Sequence, residues 1–310
     1  MAGEFSPTGS VNNTTGAVFI PEIWSDEVIA AYKRNLTMAN LVNKMSFKGK
    51  KGDTLRIPKP TRGVATAKAT ETQVALQAAT ETDLTVLIDK HYEYSRMIED
   101  ITEVQALASL RKFYTSDAGY ALAKQVDTDL IQLGRGANAG NAANSQYAGG
   151  IIGSTGAAYT YGSSNAAAIA DAGIRKAIQL LDDDDVPMDN RFLVVPPVAR
   201  NSMMGLARFT EQAFVGEMGG SNTIRNGQIG DVYGVKVFVS TNCDTAAGNT
   251  ASDRVCLMFH KDAFVLAEQM AVRSQTQYMQ QYLATLYTAD TLYGVKELRD
   301  EACVPLIVLA

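Results

Sequence analysis

One stretch constrains this chain more than any other: Asp100 to Gly136, DITEVQALASLRKFYTSDAGYALAKQVDTDLIQLGRG. Val104, Leu107, Ala108, Ala118, Leu122, Val126, Leu130 and Leu133 recur at three- and four-residue steps, so they share one face of a helix. Asp100 suits the N-cap, and Glu103 stands where a capping-box acid reaches back to it. Gly134 and Gly136 follow the last apolar residue, where a helix turns left-handed and stops. At about 1.5 Å per residue the rod is on the order of 50 Å long, far beyond the roughly three turns of an average helix. A coiled coil would need sustained charged flanks and would not place Gly119 in mid-helix. The expectation is a spine, weakest near Ser116–Gly119, with sheet strands laid across its apolar face.

The 310 residues, 46% hydrophobic and 20% charged, set one or two ordinary folded domains around this spine. No apolar run approaches the roughly 18 residues of a membrane span, so no membrane partner is expected. The first sixteen residues, MAGEFSPTGSVNNTTG, lack the basic and apolar regions of a secretory signal. Cys243, Cys256 and Cys303 are odd in number and far apart, which fits reduced thiols rather than a disulfide framework. A net charge of −5 gives no general attraction to nucleic acid, whose non-specific binding runs on cations.

Ahead of the spine, Ser25 suits the cap of a short helix carrying Val28, Ile29 and Tyr32, with Trp24 as a core anchor before it. The segment Phe47–Thr54, FKGKKGDT, looks like a turn opening the strand Leu55–Ile57, because a phosphate loop would run into a helix and not toward Pro58. A second strand is predicted through Leu84, Val86, Ile88, Tyr92 and Tyr94. Between the two lies an Ala/Thr-rich stretch with little to bury. Residues 50–95 are therefore predicted to form a hairpin-like arm standing off the body. Arg62, Lys68, Glu71 and Glu81 supply charges of both signs that could set its register on a neighbouring subunit.

Behind the spine, residues 134–165 read as a long Gly/Ala/Asn/Ser loop. A helix is predicted from an Asn165 cap through Ile169, Ile174, Ala177 and Leu181, closing in a solvated run, Asp182–Asp185. Arg191–Val195 is a buried strand that Pro196 and Pro197 stop, and a helix with Met203, Leu206 and Phe209 follows. Residues 232–239 give another strand, residues 255–268 a strand and an amphipathic segment, and the C-terminus a last strand. Strands and helices mix without a βαβ repeat, which favours an α+β architecture.

No catalytic constellation emerges. His91 and His260 lack metal-ligand spacing, and neither a Gly-x-Ser-x-Gly elbow nor a dinucleotide fingerprint is present. No catalytic, cofactor-binding or metal residue is assigned, and no cofactor is expected. Lys68 could cross-link to another subunit, but a solubilising charge on a β arm outweighs that reading.

In their order, FIPEIWSDEV, LVNKMSFKGKKGDTLRIPKP, the spine, DVPMDNRFLVVPP, GQIGDVYGVKVFVSTN and YGVKELRDEACVPLIV resemble a major capsid protein of tailed bacteriophages, with the Hong Kong-97-type fold. The resemblance implies an N-terminal arm and lead-in (1–49) and an extended loop reaching over a neighbour (50–95). It further implies a peripheral domain with the spine (96–145), an axial domain (146–284) and a C-terminal strand returning to the peripheral domain (285–310). The implied role is structural: hexamers and pentamers of the chain closing an icosahedral shell around double-stranded DNA, assembled in the host cytoplasm, with no enzymatic activity. A separate scaffolding protein and a portal are the implied partners, and DNA is enclosed without sequence-specific binding. The alternatives are an encapsulin-type compartment, which would hold a cargo protein, and a small-molecule enzyme using the 134–165 loop.

Overall fold

A computed structural model describes residues 37–59, 63–74, 76, 81–101, 109–137, 147, 149–160, 166–206, 230–246 and 253–309. In chain order its elements are α1 (Met38–Leu41), β1 (Asn43–Ser46), β2 (Thr54–Lys59), β3 (Thr82–Leu87), β4 (Lys90–Glu99) and the spine α2 (Ser109–Leu133). Then come β5 (Ile151–Ile152), α3 (Asp171–Asp183), β6 (Arg191–Val195), α4 (Pro197–Met204), β7 (Asp231–Val232) and β8 (Val235–Val239). β9 (Asp253–His260), β10 (Phe264–Met279), β11 (Ala284–Glu297) and β12 (Cys303–Leu309) complete it. The helix predicted around Trp24 and Ser25 lies outside the described residues, as do Arg62, Glu103, Val104, Leu107, Ala108, Asn165 and Phe209.

Within the described residues the spine is one uninterrupted α-helix of 25 residues, roughly 37 Å long. Asp100 and Ile101 are already helical ahead of it. Its predicted stripe is the buried face: Ala118, Leu122 and Leu130 are inside, with Val126 and Leu133 half-buried beside them. The first half of the stripe lies on a four-stranded sheet of order β1-β10-β11-β4, where Ala118 and Leu122 meet Ala289, Tyr92, Tyr94 and Tyr287. The second half reaches a six-stranded sheet of order β5-β12-β9-β6-β8-β7, where Leu130 and Ile131 join Phe192, Leu257 and Phe259. One helix thus supports both sheets.

In the six-stranded sheet β6 is buried along its whole length, because β8 pairs it on one side and β9 on the other. Phe192 and Val194 face the spine cluster, while Leu193 and Val195 face α3 and α4. Pro197 starts α4 and Met203 is buried in it, as predicted.

Several elements differ from the sequence-based expectation. Residues 232–239 form a tight hairpin, β7–β8, and not one strand: Tyr233 and Gly234 both take positive φ, the geometry of a two-residue turn that matches strand twist. The helix predicted from Asn165 begins at Asp171. The backbone before it is already committed, since Leu309 N–H donates to the Ala167 carbonyl and Ala170 N–H to that of Gly153. The stretch after residue 260 holds the longest strand, β10, which returns through β11 as a hairpin. Of the strands within 146–284, β10 lies in the spine's sheet and β6 and β8 in the other. Of the last two strands, β11 lies on the spine, and β12, whose CVPLIVL run is buried up to its last residue, pairs with β9 in the six-stranded sheet.

Candidate assembly surface

The strand predicted to run from Leu84 to Tyr94 breaks at Ile88–Asp89. Among the described residues Thr82–Leu87 pairs only with β2, from Thr54 opposite Leu87 to Lys59 opposite Thr82. Residues 90–99 pair instead with β11, so the arm ends before them. The cause is a close crossing: a Cβ on Gly294 of β11 would sit 2.1 Å from the Leu87 carbonyl oxygen, so only glycine lets the arm leave the sheet here. Val86 and Ile88 anchor the arm's base against Val265 and Ala267.

Beyond that base the arm is almost all surface. Residues 63–69 carry no regular secondary structure, and Val64 is 74% exposed, Val74 65% and Leu76 98%. Lys68 is exposed there, Glu71 takes φ 62° in a turn that the Thr72 hydroxyl closes on the Ala69 carbonyl, and Glu81 is exposed just ahead of β3. Among the described residues none of these three forms an ion pair. Arg62 is outside the described residues. A cross-strand ion pair on the arm, Arg56 with Asp83 at 3.6 Å, was not singled out from the sequence.

The body is closed by carboxylates that sequence reasoning missed. Asp127 on the spine accepts the Met38 amide at 2.8 Å and the Asn242 side chain at 3.1 Å. Burial pushes its carboxyl up, partly offset by those bonds. Two residues on, Asp129 takes Lys90 at 3.0 Å, Tyr293 at 2.8 Å and Gln125 at 3.0 Å. Asp244 accepts both prongs of Arg135, at 2.7 and 3.1 Å, and the Tyr147 hydroxyl. Burial opposes the charge on Asp244, but Arg135 and Tyr147 outweigh it and hold the carboxyl below its usual range. These contacts lace α1, the spine, β4, β11 and the segment after β8 into one body. The available signal was two aspartates, at 127 and 129, set inside the most apolar part of the spine.

Glu297, at the end of β11, is a different case. Its Oε1 is buried with no hydrogen-bond partner among the described residues, and burial with nearby Asp300 pushes its carboxyl up to about 7. All three cysteines are free and buried. Among the described residues no group of His, Cys, Asp and Glu could hold a metal ion.

Among the described residues, then, a body closed by its own carboxylates carries an arm whose Val74 and Leu76 side chains stand exposed. The phage capsid protein family matches residues 23–306, and the chain belongs to that family. It is a structural major capsid protein. The fold is similar to that of a chain from Mycobacterium phage Che8, at 23% identity and a TM-score of 0.74, covering 93% of this chain and 97% of that one. It is similar also to the capsid of cyanophage P-SCSP1u (18% identity, TM-score 0.74, 99% of each chain). The acidic-stable capsid of Helicobacter pylori bacteriophage KHP30 is a third (13% identity, TM-score 0.70, 97% of this chain and 99% of that one). No curated protein matches the chain.

Proposed function

We propose that copies of this chain form the hexamers and pentamers of an icosahedral shell of the Hong Kong-97 type, which encloses a double-stranded DNA genome and carries out no chemistry of its own. In this reading the four-stranded sheet and the spine make the peripheral part, and the six-stranded sheet with α3 and α4 makes the axial part. Residues 1–49 lead in, and the arm reaches a neighbouring subunit. A separate scaffolding protein and a portal complete the assembly, in the cytoplasm of the host.

The observation that carries this reading is the arm. A two-stranded ladder alone in water is marginal. This one buries its base on its own sheet and leaves Val64, Val74 and Leu76 in solvent. A neighbour's surface is the natural cover. Replacing residues 64–79 by a tight turn is expected to leave the melting temperature of the free subunit unchanged and to abolish closed particles in sedimentation. Normal particles from the shortened chain would contradict the proposed role of the arm.

A further inference from the structure

The four-stranded sheet ends in two outer strands that differ in kind. β4 forms one edge, and among the described residues it pairs only with β11. Lys90, His91, Glu93, Arg96 and Glu99 lie along it. Charged side chains on an edge strand discourage another strand from adding to it. At the opposite edge, β1 covers β10 only from Val265 to Glu268. The Gln269 side chain then donates to the carbonyls of Lys50 and Gly52 at 2.9 Å each. Beyond that point β10 runs on to Met279 with β11 on one side, and among the described residues nothing pairs with its other side.

This bare stretch is neutral. Between Met270 and Met279 the one charged residue is Arg273. Both prongs of its guanidinium go to Asp290, at 3.1 and 2.8 Å, and His91 lies 3.2 Å from the same carboxylate. Residues 271–278 are all exposed, so neither face of the strand is covered. The ladder with β11 is irregular between Glu268 and Arg273 and regular from Arg273 to Met279. In a regular antiparallel ladder every second residue turns its N–H and C=O away from the partner strand. Such a row of donors and acceptors is matched by one kind of partner, an extended strand.

We propose that β10 of one copy pairs antiparallel with β10 of a second copy across a two-fold axis, joining the two four-stranded sheets into one. The inference goes beyond the shell reading: a shell would use this contact, but two copies can make it without one. Antiparallel partners are both hydrogen-bonded or both not, so the axis falls at a residue and not between two. The middle of the regular stretch is Thr276. Centred there, Thr276 stands opposite its own copy, Gln275 opposite Gln277, Ser274 opposite Tyr278 and Arg273 opposite Met279. No like charges meet, and the two Arg273 side chains lie at opposite ends of the ladder. Facing hydroxyl side chains are among the pairs that stabilise neighbouring strands. The other described edges fit less well. β4 carries its row of charges, β2 has Arg56 and Lys59 beside Pro58, which lacks an N–H for a ladder, and β3 has Asp83. β5 and β7 are two residues each. A neutral strand returns nothing to those charges, whereas its own copy matches it residue by residue. Self-complementary two-fold contacts are also the commonest kind between identical subunits.

The test uses the full chain and the position that meets itself. Thr276→Cys treated with a short bismaleimide is expected to give cross-linked dimers, because the three native cysteines are buried. Glu93→Cys, on the charged β4 edge, is expected to give about tenfold fewer. Thr276→Lys and Thr276→Glu each set like charges across the axis. Each alone is expected to weaken self-association in sedimentation by about tenfold or more at low salt. An equal mixture of the two is expected to recover to within about threefold of wild type, since lysine then faces glutamate. If either variant melts lower than wild type, the mixture decides, because a folding defect would persist in it. Failure of Thr276→Cys to cross-link, equal cross-linking of Glu93→Cys, or no recovery in the mixture would overturn the inference. A chain that cross-links at position 276 yet builds no shells would uphold it and sink the shell reading. Shells built by Thr276→Lys as readily as by wild type would do the reverse.

Discussion

The arm and the end of the spine are both built from apolar side chains and backbone hydrogen bonds, yet they stand at opposite extremes of burial. Around the spine's end, Leu130, Phe259 and Tyr147 are at or near zero exposure, and the carboxylates among them are matched by Asn242, Arg135, Lys90 and Tyr293. On the arm, Leu76 is 98% exposed and the Arg56–Asp83 ion pair lies mostly in solvent. Burying apolar surface is the main driving force for folding, so the body stabilises itself and the arm does not. The difference is what the proposed shell predicts: a body that is complete in one copy and an arm that another copy would complete.

Single truncations should expose this contrast most strongly. Phe259→Ala is expected to destabilise the free subunit by about 3–5 kcal/mol, the cost of a large cavity in a packed core. Leu76→Ala is expected to change it by less than about 0.5 kcal/mol. Denaturant melts of the two variants side by side give the comparison. A substantial loss from Leu76→Ala would mean that the arm folds back on its own body.

The carboxylates come next. Asp244→Ala leaves the Arg135 guanidinium and the Tyr147 hydroxyl without their acceptor. A loss of about 2 kcal/mol is expected, less than for a fully enclosed pair because Arg135 is partly open to water. A melt of Asp244→Ala beside an Arg135→Ala, Asp244→Ala double variant separates the pair from its parts: the double variant should be no worse than the single one.

Glu297 gives a smaller effect with a defined pH window. Its carboxyl titrates near 7 in the folded chain against an ordinary 4.5. Unfolding therefore releases a proton between those values. Stability falls as pH rises from about 4.5 through 7, and the whole penalty is present above that. Glu297→Gln removes it, so the variant should match wild type near pH 4 and exceed it near pH 8, by on the order of 1–3 kcal/mol. Melting temperatures that track each other across that range would show that Glu297 reaches solvent or a cation when charged.

Much of the body was legible in the sequence where one period dominated. The stripe Ala118, Leu122, Val126, Leu130 fixed the spine's buried face, and the uninterrupted apolar run Phe192–Val195 marked a central strand. Legibility failed where two demands shared a segment. Residues 270–288 carry Gln, Thr and Tyr on both faces, so the β10–β11 hairpin showed no clean alternation. The strand from Leu84 to Tyr94 did alternate, but its break depends on Gly294, some two hundred residues away, which no local pattern reveals. For the same reason the pairings Asp127 with Asn242 and Arg135 with Asp244 could not be read from the chain. Of the arm's charges, Lys68, Glu71 and Glu81 were placed on its surface, and no partner for them is seen within the described chain.

The claim that the arm is completed by another copy is tested most directly by amide hydrogen exchange on free subunits and on assembled particles. Protection at residues 54–59 and 82–87 should be weak in the free subunit and rise by about a hundredfold or more on assembly. The spine and β6 should be strongly protected in both. Arm amides equally protected in the free subunit, or equally unprotected in the particle, would contradict the division between a self-sufficient body and a neighbour-dependent arm.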